Sequence, residues 1–237
     1  MIAIIEKTKK DRMFSEKERI LNHLLMYIET TRNMGLFHGK IGIIIAFFHY
    51  GKNKEKKLQN IAGELLEDIW DSISENLSID FDSGLSGIGW GIEYLIQNHF
   101  VEGNSLEICE EIDLKIMQMD PRRFNDYSVD KGLPGILHYI LIHIKGCMEQ
   151  NNSFPFDSIY FQDLHQSLNS ISEKKMNENF KMLISKYNRW YLKKDNIDYD
   201  LNVTRFCEMN EYKNPKNLFT IPLGLKKGLA GMLIKNT

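Results

Sequence analysis

The stretch Gly84-Leu85-Ser86-Gly87-Ile88-Gly89-Trp90-Gly91-Ile92-Glu93-Tyr94-Leu95-Ile96 opens with two glycines one helical turn apart and continues as a nearly unbroken apolar run. Alone it is ambiguous, because a short apolar run suits a buried strand as well as an enclosed helix. Three further stretches open in the same way: Gly39-Lys40-Ile41-Gly42, Gly132-Leu133-Pro134-Gly135 and Gly228-Leu229-Ala230-Gly231. Each leads into an apolar segment of its own. The first glycines stand 45, 48 and 96 residues apart, and the last interval is twice 48. Such a period marks a helical repeat, and it predicts five units, the fourth having lost its glycines near residue 180.

The intervening segments decide for helix over strand. Between Lys57 and Ile73, residues Leu58, Ile61, Leu65, Leu66, Ile69 and Ile73 recur at three- and four-residue steps, with Glu64, Glu67, Asp68 and Asp71 between them. Leu106 to Met117, Ile20 to Ile28 and Phe161 to Ile171 repeat the pattern. These are amphipathic helices, so each unit pairs an amphipathic outer helix with a glycine-opened inner helix that is apolar all round. Glycine costs about 1 kcal/mol inside a helix but little at its start. There it lets neighbouring backbones approach closely and is expected to leave amide N–H groups accessible. The expected fold is all-α: an α/α toroid, or an open arc of one, of about five helical hairpins with the inner-helix N-termini gathered at one mouth. Glu178 to Leu192 reads as a further helix. Asn196 to Asn217 is polar, contains Pro215 and has room for a short helix around Val203 to Met209, and Met119 to Lys131 reads as a loop returning to the mouth. No linker divides the chain, which is read as one domain over residues 1–237.

With 43% apolar residues the chain can bury a substantial core. A net charge of −2 gives no basis for binding nucleic acid or an anionic membrane. Lys52, Lys54, Lys56 and Lys57 alternate with polar residues and read as a solvated turn. Cys109, Cys147 and Cys207 lie too far apart for a disulfide scaffold or a zinc ribbon, which favours a reduced, cytoplasmic setting. The apolar Met1–Ile5 is too short for a signal core, and Ile41–Phe48 is far short of the roughly 20 residues that span a bilayer, so no membrane anchor is expected.

The elements Leu36-Phe37-His38-Gly39-Lys40-Ile41-Gly42-Ile43, Gly84–Gly91 and Gly224-Leu225-Lys226-Lys227-Gly228-Leu229-Ala230-Gly231 resemble the inner-helix starts of the LanC-like (lanthionine synthetase C-like) family. The resemblance spans roughly Leu36 to Leu233 and points to a short variant. It implies a ring of helical hairpins and a zinc ion that activates a cysteine thiol for addition to a dehydrated Ser or Thr. In the family the ligands, two cysteines and a histidine, stand just ahead of glycine elements. Here those positions hold Phe37 and His38, Asp82 and Ser83, Asp130 and Lys131, and Lys226 and Lys227. None is cysteine, so no zinc cofactor is expected and no metal ligands are assigned.

His38, Asp82 and Asp130 are the catalytic candidates. His38 immediately precedes a glycine element, as a catalytic histidine of the family does, and is a possible base or ligand; alternatively it is bonded across the repeat interface. Asp82 and Asp130 are either N-terminal caps or a carboxylate pair across a cleft, as glycoside hydrolysis requires. Ser83, Lys131 and Lys227 share the mouth as binding candidates. Trp90 either stacks on a ligand or packs in the core, Glu93 is either paired within the ring or faces the cavity, and His138 is a ligand contact or a satisfied core histidine. Arg122 and Arg123 read as a solvated loop or helix-end pair.

The expected function is a LanC-like protein of peptide modification, a non-zinc binding or accessory factor whose partner is a peptide substrate or a maturation enzyme. The alternatives are a divergent cyclase and a carbohydrate-acting hydrolase using Asp82 and Asp130. An open arc would expose apolar inner faces and favour a homodimer.

Overall fold

The computed structural model of the protein describes residues 15–52, 56–72, 77–208 and 217–236; Met1–Ile5, Lys54, Ile73, Met209 and Pro215 lie outside them. Among the described residues there are ten α-helices and no strand. In chain order they are α1 (Glu16–Tyr27), α2 (Lys40–Gly51), α3 (Lys56–Ser72), α4 (Leu85–Gln97), α5 (Ser105–Ile108), α6 (Glu110–Met117), α7 (Leu133–Glu149), α8 (Ser158–Ser170), α9 (Glu178–Lys193) and α10 (Leu229–Lys235). Helices α2, α4, α7 and α10 start directly after Gly39, Gly84, Gly132 and Gly228. Every residue of α4 from Leu85 to Ile96 is buried, as an enclosed inner helix requires.

The glycines answer to a carbonyl. Before each inner helix the chain doubles back so that the carbonyl six residues ahead of the second glycine fills the space of its missing side chain. A Cβ would stand 2.3 Å from Leu36 O at Gly42, 2.0 Å from Phe81 O at Gly87, 2.2 Å from Val129 O at Gly135 and 2.1 Å from Leu225 O at Gly231. The same loop caps the helix. Lys40 N–H donates to Asn33 O (2.9 Å), Leu85 N–H to Ser78 O (2.8 Å), Leu133 N–H to Asp126 O (3.0 Å) and Leu229 N–H to Pro222 O (2.8 Å). This corrects the expectation of accessible amides: the first free N–H of each inner helix is taken by the preceding loop. The fourth unit starts where the period places it. There Asn177 caps α9 through its side chain, accepting from Phe180 N–H at 2.9 Å.

Inner helices pack in the order α10, α2, α4, α7, α9, and α1 covers α10 as its outer neighbour. Because α10, late in the chain, packs on α2, near its start, the arc is drawn round toward a ring. The outer layer holds α1, α3, the broken pair α5–α6, and α8. Between α9 and α10 the described residues carry no long outer helix. That segment instead enters the lumen, burying Ile197, Tyr199, Val203, Phe206 and Cys207. Phe206 lies in the short 3-10 turn Val203–Phe206, and its ring centre is 5.5 Å from that of Phe37, 5.3 Å from Phe81, 5.1 Å from Trp90 and 5.3 Å from His138. The inner faces are thus covered, which removes the exposure on which the expected homodimer rested. Among the described residues no helix is long and apolar enough to cross a membrane.

Gly87→Ala sets a methyl group 2.0 Å from Phe81 O and 3.1 Å from Leu36 Cβ. It is expected to lower the unfolding free energy by about 3 kcal/mol or more. Gly63→Ala, in α3 with open space around it, is expected to be neutral or to stabilise by up to about 1 kcal/mol. Urea midpoints for the two variants and wild type decide this; three equal midpoints would mean that the loop carbonyls do not fix the helix starts.

Candidate functional site

The four turns ahead of α10, α2, α4 and α7 form the mouth, and main-chain bonds tie them in sequence. Lys226 N–H donates to Phe37 O (3.0 Å), Phe37 N–H to Asp82 O (2.9 Å), and Asp82 N–H to Asp130 O (2.9 Å). Lys226 closes this set with its side chain, the ammonium lying 2.6 and 2.9 Å from the two Asp130 carboxylate oxygens and 3.7 Å from Glu208.

The predicted mouth residues therefore share one rim but not one environment. Asp130 is committed to Lys226. Asp82 accepts from Ser83 Oγ at 2.6 Å. Neither carboxylate caps a helix, because the N-cap positions are Gly84 and Gly132 and carry no side-chain cap. His38 is exposed and makes no side-chain hydrogen bond to the described residues, so the cross-repeat bond expected for it is not formed; Phe37 is its ring neighbour at 6.5 Å. Lys131 is exposed. Lys227 has a left-handed backbone (φ 55°) and its ammonium stands 3.6 Å from Glu208.

Beneath the rim lies a cavity of about 420 Å³, a volume in the usual range for ligand pockets. Phe37, Val129, Pro134, Phe180, Leu183 and Phe206 form its apolar wall, and His138 and Tyr199 bring polar atoms to it. The Tyr199 hydroxyl accepts from Trp90 Nε1–H at 2.8 Å and lies 2.7 Å from His138 Nδ1. Trp90 is fully buried and packs in the core instead of lining the cavity. Burial, with a lesser contribution from the Arg205 charge, pushes the His138 pKa down to about 3, so its imidazole is neutral at physiological pH. Tyr199, Arg205, Phe206 and Lys186 reach the cavity without having been singled out from sequence.

Glu93 does not face the cavity. It belongs to a buried triad in which the His143 imidazole bridges two carboxylates. Nδ1 bonds to Glu93, and Nε2 bonds to Asp113 at 2.8 Å. Tyr139 donates to the other Asp113 oxygen (2.6 Å), and Gln97 donates to the other Glu93 oxygen (2.7 Å). The Lys145 ammonium, 3.1 Å from Gln97 Oε1, brings a positive charge one bond further out. Burial alone pushes the His143 pKa down. The hydrogen bonds with Asp113, Cys147 and Glu93 outweigh it, so the imidazolium persists well above the usual histidine range. Burial raises the Asp113 pKa, against the opposing pull of His143. Asp113 escaped notice in the sequence although it stands four residues after Cys109 and three before Ile116, on the buried stripe of its helix.

Zinc of the kind the resemblance implies needs thiolate and imidazole donors beside a substrate. The turns offer none beyond His38, and all three cysteines are buried. Glu93, Cys109 and His143 do bring ligand atoms within 4.8 Å of one another. Both His143 nitrogens are already engaged by carboxylates, however, and burial raises the Cys109 thiol well above its usual pKa. None of the three lines the central cavity. These residues do not fit a zinc site that could activate a thiol there.

The triad gives stability a pH dependence of definite sign. Below the unfolded histidine pKa of about 6.5, both states hold the proton and the full contribution stands. Above it the unfolded chain has released a proton that folded His143 keeps, so stability falls with rising pH until the folded imidazolium itself titrates. Urea unfolding from pH 6 to 9 should show a decline of up to about 1.4 kcal/mol per unit. His143→Gln should flatten that slope and cost about 3–5 kcal/mol at pH 6. A wild-type curve flat across this range would mean that the buried imidazole carries no extra proton.

A family model described as lanthionine synthetase C-like protein matches residues 30–197. No curated protein and no solved structure matches the chain. With well over half of its length matched by that model, and with the glycine-opened inner helices in place, the chain belongs to the lanthionine synthetase C-like family.

Proposed function

We propose that this lanthionine synthetase C-like protein acts in peptide modification as a binding or accessory factor, holding a peptide in its lumen without a zinc-dependent step of its own. The observation that carries this reading is the central cavity: apolar walls and a neutral histidine stand where the inner-helix starts converge, with no thiol ligand at any turn. A concave site with apolar walls and fixed polar groups among them suits binding, and the family places peptide chemistry at this end of the helices. The partner is the peptide itself or a maturation enzyme that delivers it. A reduced, cytoplasmic setting belongs to the same proposal and suits three free, buried cysteines.

The hydrolase reading requires two carboxylates free to act as acid and base. It draws little support from Asp130, both of whose oxygens bond the Lys226 ammonium, or from Asp82, which is bonded to Ser83. A divergent cyclase would need a thiol-activating group, for which the rim offers His38 as a base but no cysteine ligand.

Cysteine-containing peptides bearing dehydroalanine or dehydrobutyrine test the proposal. Calorimetry should show saturable binding while alkylation counts an unchanged number of free peptide thiols. Asn179→Trp, at an exposed position on the cavity edge, is expected to weaken binding by about tenfold, or about 1.4 kcal/mol, with an unchanged urea midpoint. Thiol loss accompanied by stoichiometric zinc would establish a cyclase instead, and absence of binding by every such peptide would end the accessory reading.

A further inference from the structure

His138 is 5% exposed, and one of its ring nitrogens has no hydrogen-bond partner among the described residues. Nδ1 is bonded to the Tyr199 hydroxyl, whereas Nε2 has no hydrogen bond to the described residues, and the residue lines the cavity. The surrounding bonds fix which nitrogen carries the proton. Trp90 Nε1–H can only donate, so Tyr199 oxygen is its acceptor. The Tyr199 hydroxyl proton then needs an acceptor of its own, and His138 Nδ1 is the one within reach. Nδ1 is therefore unprotonated, and the single proton of the neutral ring sits on Nε2. A donor held at the end of a buried relay, with no acceptor among the described residues, is a group left for a ligand.

The charge of the lining narrows that ligand. Three cations, Lys186, Arg205 and Lys226, face three carboxylates, Asp130, Asp200 and Glu208. Each cation is already paired: Lys226 with Asp130 at 2.6 Å, Arg205 with Asp200 at 2.7 Å, and Lys186 with Asp198 at 3.5 Å. A phosphate or free carboxylate would meet a carboxylate already beside each cation and would compete with it, whereas a neutral group need not. The aromatic and aliphatic walls add apolar contact area around the donor.

We propose that the lumen takes a short, neutral, apolar peptide segment, one of whose main-chain carbonyl oxygens accepts a hydrogen bond from His138 Nε2–H. His138 is thus a specificity-determining residue, held as a donor by Tyr199. This rests on the reading that the lumen binds peptide.

The probes are N-acetylated, C-amidated tripeptides of Leu, Phe, Val and dehydroalanine, together with counterparts in which one amide is replaced by a trans alkene that keeps the shape and loses the carbonyl. Wild type should bind the best capped tripeptide about tenfold more tightly than its alkene counterpart. His138→Phe, which keeps the ring stacked on Phe81 at 5.6 Å, should bind both equally and weakly. A free carboxylate or phosphoserine in the tripeptide should weaken binding. Long-range ¹⁵N–¹H spectra of wild type need no variant and should show the Nε2–H tautomer of His138. An Nδ1–H tautomer, equal wild-type affinity for amide and alkene, or a preference for the anionic peptides overturns the proposal. If longer dehydrated peptides bind the lumen while none of the capped tripeptides does, the neutral-segment inference fails and the peptide-binding reading stands. If neither set binds, both fall.

Discussion

The fold depends on backbone meeting backbone at the mouth. Four main-chain hydrogen bonds link the turns, from Lys226 to Phe37, from Phe37 to Asp82, and from both Phe81 and Asp82 to Asp130. Within each turn a carbonyl occupies the space of a glycine side chain and a second carbonyl takes a helix N–H. Buried or half-buried main-chain groups must be paired, and the described residues form no sheet that could pair them. The turns pair them with one another, which sets the height and rotation of α10, α2, α4 and α7 relative to one another. Side chains at the mouth are displayed on that frame, so their positions are as fixed as the turns beneath them.

Two polar assemblies hang from the frame and differ in purpose. The triad of Glu93, His143 and Asp113 is closed on itself. Each oxygen and nitrogen has a partner, and the three residues clamp α4, α6 and α7 in the interior. The relay of Trp90, Tyr199 and His138 is open, because it ends on a nitrogen facing the cavity. It exists because residues 195–208 leave the helical layers and carry Tyr199 and Phe206 into the lumen. That excursion replaces an outer helix, narrows the lumen to a small cavity and supplies the hydroxyl that orients His138. A lumen filled in this way is a better binding pocket than an open funnel, since more of a small ligand's surface is removed from water.

Much of this was legible from residue spacing. The glycine period located all five inner helices, including α9, which begins at Glu178 against an expected position near 180 with an asparagine cap in place of glycines. Amphipathic stripes located the outer helices, although the helix expected over Leu106 to Met117 breaks at Cys109 into α5 and α6. The short helix expected around Val203 is present as the turn Val203–Phe206, but the segment's course into the lumen was not legible, because Ile197, Tyr199, Val203 and Phe206 form no extended apolar stripe and sit among polar residues. Nor was the status of Asp130: its pairing with Lys226 joins positions 96 residues apart, and spacing alone cannot distinguish a free carboxylate from a bonded one. Glu93 stands out as a charge on an apolar helix, but the triad it joins draws His143 and Asp113 from two other helices, and spacing alone does not single out Asp113. The accessible amides expected at the helix starts proved to be capped, because the capping groups are carbonyls, which no residue type announces.

Native-state hydrogen exchange at the mouth tests the account most directly. The amides of Phe37, Asp82 and Lys226 belong to turns, not to helices, and half-exposed turn amides without partners exchange quickly. If the turns hold one another, these three should exchange only with global unfolding, at the same free energy as amides in the middle of α4 and α7. Exchange of all three at rates typical of open surface loops, while α4 and α7 stay protected, would contradict the claim that bonding between turns organises the fold.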